Sequence, residues 1–227
     1  MFLTRQRDES GQKTGKNNIG TGTIIIPAII PRSREHLREM VARLNGVAGE
    51  FQIDIVDGVF IPEMLEMTVS YELDLMTVNP LRALPAWLAQ HPKSVVLHIE
   101  SFKSDEEIMK AIEMVRERGK DAVLAALNDT PLERLFAFVP YIDGVQCMGI
   151  AEIGRQGNPF DARVIARVRR IRSAYPALSI SVDGSVNAET IMLFKEAGAN
   201  RFVVGSAIFD SADPVGAYKE LCALIGV

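Results

Sequence analysis

Short runs rich in β-branched residues alternate with longer stretches of helical period along almost the whole chain, and they do so eight times. Strand, helix and strand in succession make the unit of a parallel sheet, because parallel neighbours need a crossover that returns the chain to the same end. The predicted strands are Thr23–Ile30, Phe51–Val56, Glu72–Met76, Ser94–Ile99, Ala122–Leu127, Gly144–Met148, Leu178–Asp183 and Arg201–Gly205. Several are apolar at nearly every position, which suits strands covered on one face by a barrel filling and on the other by helices. Eight such units, with polar residues at successive strand ends, favour closure into a (β/α)8 barrel over an open doubly wound sheet.

The helices announce their ends. Ser33 precedes a helical stretch to Leu44, Ser104-Asp105-Glu106-Glu107 has capping-box spacing, and Thr130-Pro131-Leu132-Glu133 offers proline for a first helical position. Asn187–Ala197 and Asp213–Ile225 are each followed by a glycine fit for a C-terminal cap. One unit is short: only Val59–Tyr71 separates the second and third strands, so its helix is predicted to be very short or absent. With 227 residues and 48% hydrophobic content, one core accommodates the chain: a polar tail over 1–22, then a barrel over 23–227.

The composition narrows the function classes. A net charge of -4 with dispersed Lys and Arg provides no basic field for nucleic acid. The apolar runs fall short of the roughly 20 residues that cross a bilayer, and the run from Arg5 to Lys16 has no apolar core of a secretory signal. Cys147 and Cys222 are lone thiols without metal-binding spacing, which fits a reducing cytoplasm. The expected partner is a small molecule, and a homo-oligomer is compatible with all of this.

In such a barrel the chemistry projects from the C-terminal strand ends. Read in order, they carry Gln52, Asp54 and Asp57, then Asp74 and Met76, then His98, Met148, and finally Asp183. Alternation puts Gln52 and Asp54 on one face and Asp57 on the other, where Asp57-Gly58 reads as a turn. Acids inside a barrel must be paired, bound to metal or hydrogen-bonded to offset their desolvation, so Asp54, Asp74 and Asp183 form a candidate site. His98 is either a packing residue or part of it. His36 and His91 lie in helical or turn contexts, where they read as solvated. Gly184-Ser185 and Gly205-Ser206, after strands seven and eight, place small residues where barrels often present backbone N–H groups to a phosphate. A loop over 149–158, containing Gly154 and Gly157, is a candidate cover for the ligand, or a plain loop.

These residues resemble ribulose-phosphate 3-epimerase along nearly the whole barrel. The resemblance is carried by Asp54 through Pro62, Leu75-Met76 to Asn79-Pro80, Leu97 to Glu100, Thr130 to Glu133, Val182-Asp183-Gly184 and Val204 to Phe209. It implies that two aspartates, matching Asp54 and Asp183, exchange protons on opposite faces of a sugar phosphate such as ribulose 5-phosphate or xylulose 5-phosphate. It implies contacts to substrate from Met76, His98, Met148, Gly154, Gly184, Ser185, Gly205 and Ser206. It also implies a divalent metal that stabilises the enediolate, normally held by two histidines and the two aspartates.

The sequence departs from that pattern at the metal. The positions matching the histidines are Gln52 and Asp74, a serine near the first strand is Ala28, and one of three lining methionines is Val56. Gln52, Asp54, Asp74 and Asp183 form an all-oxygen set, suited to magnesium or manganese before zinc or iron. Three readings stand: a metal-assisted epimerase-like isomerase of pentose phosphate chemistry, an inactive sugar-phosphate-binding or regulatory barrel that has lost the metal site, and, last, another enediolate reaction such as a decarboxylase or aldolase, against which no lysine stands at Asp74, Leu75 or Met76.

Overall fold

The computed structural model describes residues 19, 22–44, 46–150 and 159–227. Eight strands close into a single barrel in sequence order: β1 (Ile24–Ile29), β2 (Glu50–Val56), β3 (Ser70–Met76), β4 (Ser94–His98), β5 (Asp121–Ala126), β6 (Gly144–Met148), β7 (Ser179–Asp183) and β8 (Arg201–Val204). Every pairing is parallel, and β1 closes the ring on β8 through Ile24 opposite Arg201 and Pro27 opposite Val204. The predicted strands fall within two residues of these bounds.

Outside the sheet run α1 (Arg34–Ala42), α2 (Pro80–Leu88), α3 (Asp105–Glu117), α4 (Leu132–Phe136), α5 (Arg163–Ala174), α6 (Ile191–Ala197), α7 (Ser206–Phe209) and α8 (Pro214–Ile225). Ser33 caps α1 by accepting from the His36 N–H at 3.1 Å, and Ser104 caps α3 by accepting from the Glu107 N–H at 3.3 Å. Glu107 reaches back to accept from the Lys103 N–H, one residue before the cap. Gly198 and Gly226 end α6 and α8 in left-handed conformation, with φ of 110° and 74°. Pro131 sits at the N-cap of α4, not inside its first turn. The predicted helix from Asn187 begins only at Ile191, because Asn187 spends its side chain on the N–H groups of Glu189 and Thr190 in a tight turn.

The shortened second unit is real. Between β2 and β3 the chain makes only a 3-10 turn at Pro62–Met64, tied to α1 by Arg34 donating to the Glu63 carbonyl at 2.6 Å. A groove of about 560 Å³, lined by Phe60, Thr77, Arg82 and Trp87 among others, borders this segment.

Most of the apolar core lies between the sheet and its helices, where Ile53, Leu73, Leu97, Leu124 and Val182 meet Leu84, Ile112, Val168 and Phe194. Inside the barrel the filling is layered. Ile26, Ala28 and Val203 form one small apolar cluster, and Val96, Val123 and Ala125 pack with Ile19 in another. Below them, at the N-terminal strand ends, Arg201 is fully buried and pairs with Glu50 at 3.0 Å and Glu72 at 2.7 Å. Ile19 closes that end: its N–H donates to Asp121 at 2.7 Å and its carbonyl accepts from Arg201 at 3.2 Å. The polar run of the expected tail lies outside the described residues. Above the apolar layer, at the C-terminal strand ends, the interior turns polar again.

Candidate active site

Strand alternation brings Gln52 and Asp54 of β2, Asp74 of β3, His98 of β4, Gln146 of β6 and Asp183 of β7 into this upper layer. Asp54 stands directly across from Asp74 in register. Gln52, Asp74, His98 and Gln146 have no exposed surface and Asp54 retains 7%, while Asp183 keeps partial exposure. The three aspartates each offer an oxygen within 4.8 Å of the others. Like charges this close cannot all persist without compensation.

The compensation comes from amides and an imidazole. The Gln52 side-chain N–H group donates to Asp54 at 2.8 Å, Asp183 at 3.2 Å and Asp74 at 3.5 Å. Gln146 donates to Asp74 at 2.9 Å and Asp183 at 3.3 Å. His98 Nε2 lies 2.7 Å from the other Asp74 oxygen. Asp74 is therefore the best-supported carboxylate, while Asp54 has one donor and Asp183 two longer ones.

Proton affinities follow that distribution. Burial, then the charges of Asp183 and Asp74, push the Asp54 carboxyl well above the usual range. Burial and the Asp74 charge lift Asp183 to about 7. For His98, burial alone would lower the value, but the charge and hydrogen bond of Asp74 more than offset it and the net shift is upward. Two carboxyls of raised proton affinity thus flank a third that is anchored by donors.

Of the other residues singled out in the sequence, Met148 is buried at the end of β6 and Met76 is half-buried at the end of β3. Asp57 is exposed and accepts from the Val78 N–H at 2.7 Å, in keeping with a turn role. Gly184 and Ser185 form the turn after β7 with φ of 94° and 53°. Gly205 is the N-cap of α7 and Ser206 its first residue, so a helix start follows β8 immediately. Gly154 lies outside the described residues.

Two glycines make the approach of β6 to β7 possible. A Cβ on Gly149 would lie 2.0 Å from the Gly184 carbonyl oxygen, and the Gly149 N–H donates to the Asp183 carbonyl at 2.6 Å. This contact fixes the backbone that carries Asp183. Gln146 was missed in the sequence because it stands alone between Val145 and Cys147; its inward alternation with Met148 was the available signal.

The family pattern of ribulose-phosphate 3 epimerase matches residues 24–209. Ribulose-phosphate 3-epimerase of Mycobacterium tuberculosis H37Rv is 29% identical over 215 residues, covering 88% of this chain and 92% of that protein. The enzyme of the same name from Eremothecium gossypii is 28% identical, with 84% and 87% covered. Among solved structures, a 3-hexulose-6-phosphate synthase superposes with a TM-score of 0.69 at 23% identity over 88% of this chain and 99% of that one. KGPDC from Streptococcus mutans, in complex with D-R5P, superposes with a TM-score of 0.72 at 10% identity over 91% and 98%. Those structures share the barrel, whereas the sequence match extends through the strand ends that hold the aspartates: the chain belongs to the ribulose-phosphate 3-epimerase family.

Proposed function

We propose that the chain is an epimerase-like isomerase that inverts a carbon beside the carbonyl of a sugar phosphate, of the ribulose 5-phosphate and xylulose 5-phosphate class, through Asp54 and Asp183. The observation that carries this reading is the pair itself: two carboxyls, one from β2 and one from β7, that meet at one barrel mouth, both with raised proton affinity. Inversion needs one group ionised to take a proton and one protonated to return it from the other face. Burial and mutual repulsion favour a pair that shares one proton. Asp74, held by His98 and Gln146, lies beside both.

The residues fit a divalent cation. Asp54, Asp74 and Asp183 supply three converging oxygens, and the Gln52 amide oxygen is buried with no hydrogen-bond partner among the described residues. Such a set suits magnesium or manganese better than zinc or iron. When bound, the ion would polarise the substrate carbonyl and favour the enediolate. The phosphate would rest against the Gly184-Ser185 turn and the start of α7, where Gly205 and Ser206 offer backbone groups beside the mouth.

A second reading, a binding or regulatory barrel without turnover, is favoured by one observation: the amide groups of Gln52 and Gln146 themselves donate to the carboxylates. Interconversion of ribulose 5-phosphate and xylulose 5-phosphate, followed by NMR with magnesium or manganese, separates the two. Turnover lost in Asp54→Asn supports the isomerase; calorimetric binding of the sugar phosphate without turnover under any metal rejects it in favour of the second.

A further inference from the structure

Gln146 has no place in the metal set that the family resemblance implies, yet it is fully buried and lies against two of the three carboxylates, at 2.9 Å from Asp74 and 3.3 Å from Asp183. Gln52 approaches the same oxygens from β2. The cluster is therefore gripped by two primary amides on separate strands. In each, the nitrogen faces the carboxylates while the oxygen is buried without a hydrogen-bond partner among the described residues.

A buried amide oxygen left without a donor is a standing cost, and native proteins rarely retain one without a use for it. Nitrogen and oxygen of a primary amide occupy nearly the same volume, so half a turn about the last side-chain bond exchanges them without repacking. With nothing between the carboxylates, the donor end must face inward. With a cation between them, the acceptor end is preferred, because the oxygen then meets positive charge and the N–H groups no longer point at it.

We propose that Gln146 is a cation ligand of this site, its amide oxygen joining that of Gln52 and the three aspartates in a five-oxygen set selective for a hard divalent ion. The amides are then two-state elements: donors that hold the empty cluster together and oxygen ligands when it is filled. This rests on the cation reading given under Proposed function and adds a residue and a selectivity to it.

The test is calorimetric titration of chelator-treated protein with Mn²⁺ and Zn²⁺, alongside thermal unfolding with and without Mn²⁺, for the wild type, Gln146→Leu and Gln146→Glu. Gln146→Leu should bind Mn²⁺ at least tenfold more weakly, with a smaller loss for Zn²⁺, and should lose much of the rise in Tm that Mn²⁺ gives the wild type. Gln146→Glu, which keeps an oxygen and adds charge, should bind Mn²⁺ at least as tightly as wild type while unfolding at lower temperature when empty. Wild-type Mn²⁺ affinity in a folded Gln146→Leu would overturn the proposal, and so would Gln146→Glu binding more weakly than wild type if the leucine variant does not fold. Failure of the wild type to bind either ion also overturns it. If epimerisation then persists in chelator, the two-aspartate reading survives while the ligand role of Gln146 does not.

Discussion

Replacing Asp183 by asparagine should stabilise the empty protein, and increasingly so as pH rises. Asp183 carries a folded-state pKa of about 7 against an ordinary value of 3.8. A carboxyl whose pKa is raised by folding is protonated in both states at low pH. Between the two values the unfolded chain gives up its proton while the folded one keeps it, so stability falls through that window and levels off above pH 7. A displacement of about three units corresponds to ~4 kcal/mol. Asp183 remains partly exposed at the mouth, and solvent screening brings the expected effect to about 2 kcal/mol. The assay is urea unfolding of wild type and Asp183→Asn in chelator at pH 4 and pH 8. The stability difference between the two proteins should shift toward the variant by about 2 kcal/mol from the first pH to the second. A difference independent of pH would refute the claim that burial and the neighbouring Asp74 hold that proton.

Three further outcomes follow from the packing. Arg201→Met leaves Glu50 and Glu72 buried without their shared guanidinium and should cost about 3 kcal/mol in chemical denaturation, the low end for breaking a buried pair because Lys93 still contacts Glu50. Gly149→Ala drives a methyl against the Gly184 carbonyl; a loss of about 2 kcal/mol should accompany a fall in turnover, since the displaced backbone carries Asp183. Ile19→Ala removes the apolar stopper packed on Val96, Val123 and Ala125, and a destabilisation of about 2 kcal/mol in thermal unfolding would distinguish a structural closure from a passive tail.

The barrel was legible because each strand is a short apolar or alternating run and each crossover long enough to carry a helix, save the second, whose brevity correctly forecast the absent helix between β2 and β3. The meeting of Asp54, Asp74 and Asp183 was legible from alternation and strand order alone. What alternation cannot show is partnership. His98 could be read as a packing residue until its contact with Asp74 was visible. Gln146 carried no local signature, because an amide in an apolar strand gains its meaning only from carboxylates 37 and 72 residues away in sequence. Ile19 was hidden for the same reason: its role depends on Asp121 and Arg201, which only barrel closure brings to one end. The start of α6 was misplaced because Asn187 competes for backbone N–H groups that helix propensity would assign to a first turn.

The most direct test of the two-aspartate pair is isotope exchange. Ribulose 5-phosphate incubated in deuterated water with the protein and added magnesium or manganese should acquire deuterium at the carbon undergoing inversion, and Asp54→Asn and Asp183→Asn should each abolish turnover while remaining folded. Undiminished exchange in both folded variants, or no exchange by the wild type with any divalent metal, would contradict the assignment of proton transfer to these two side chains.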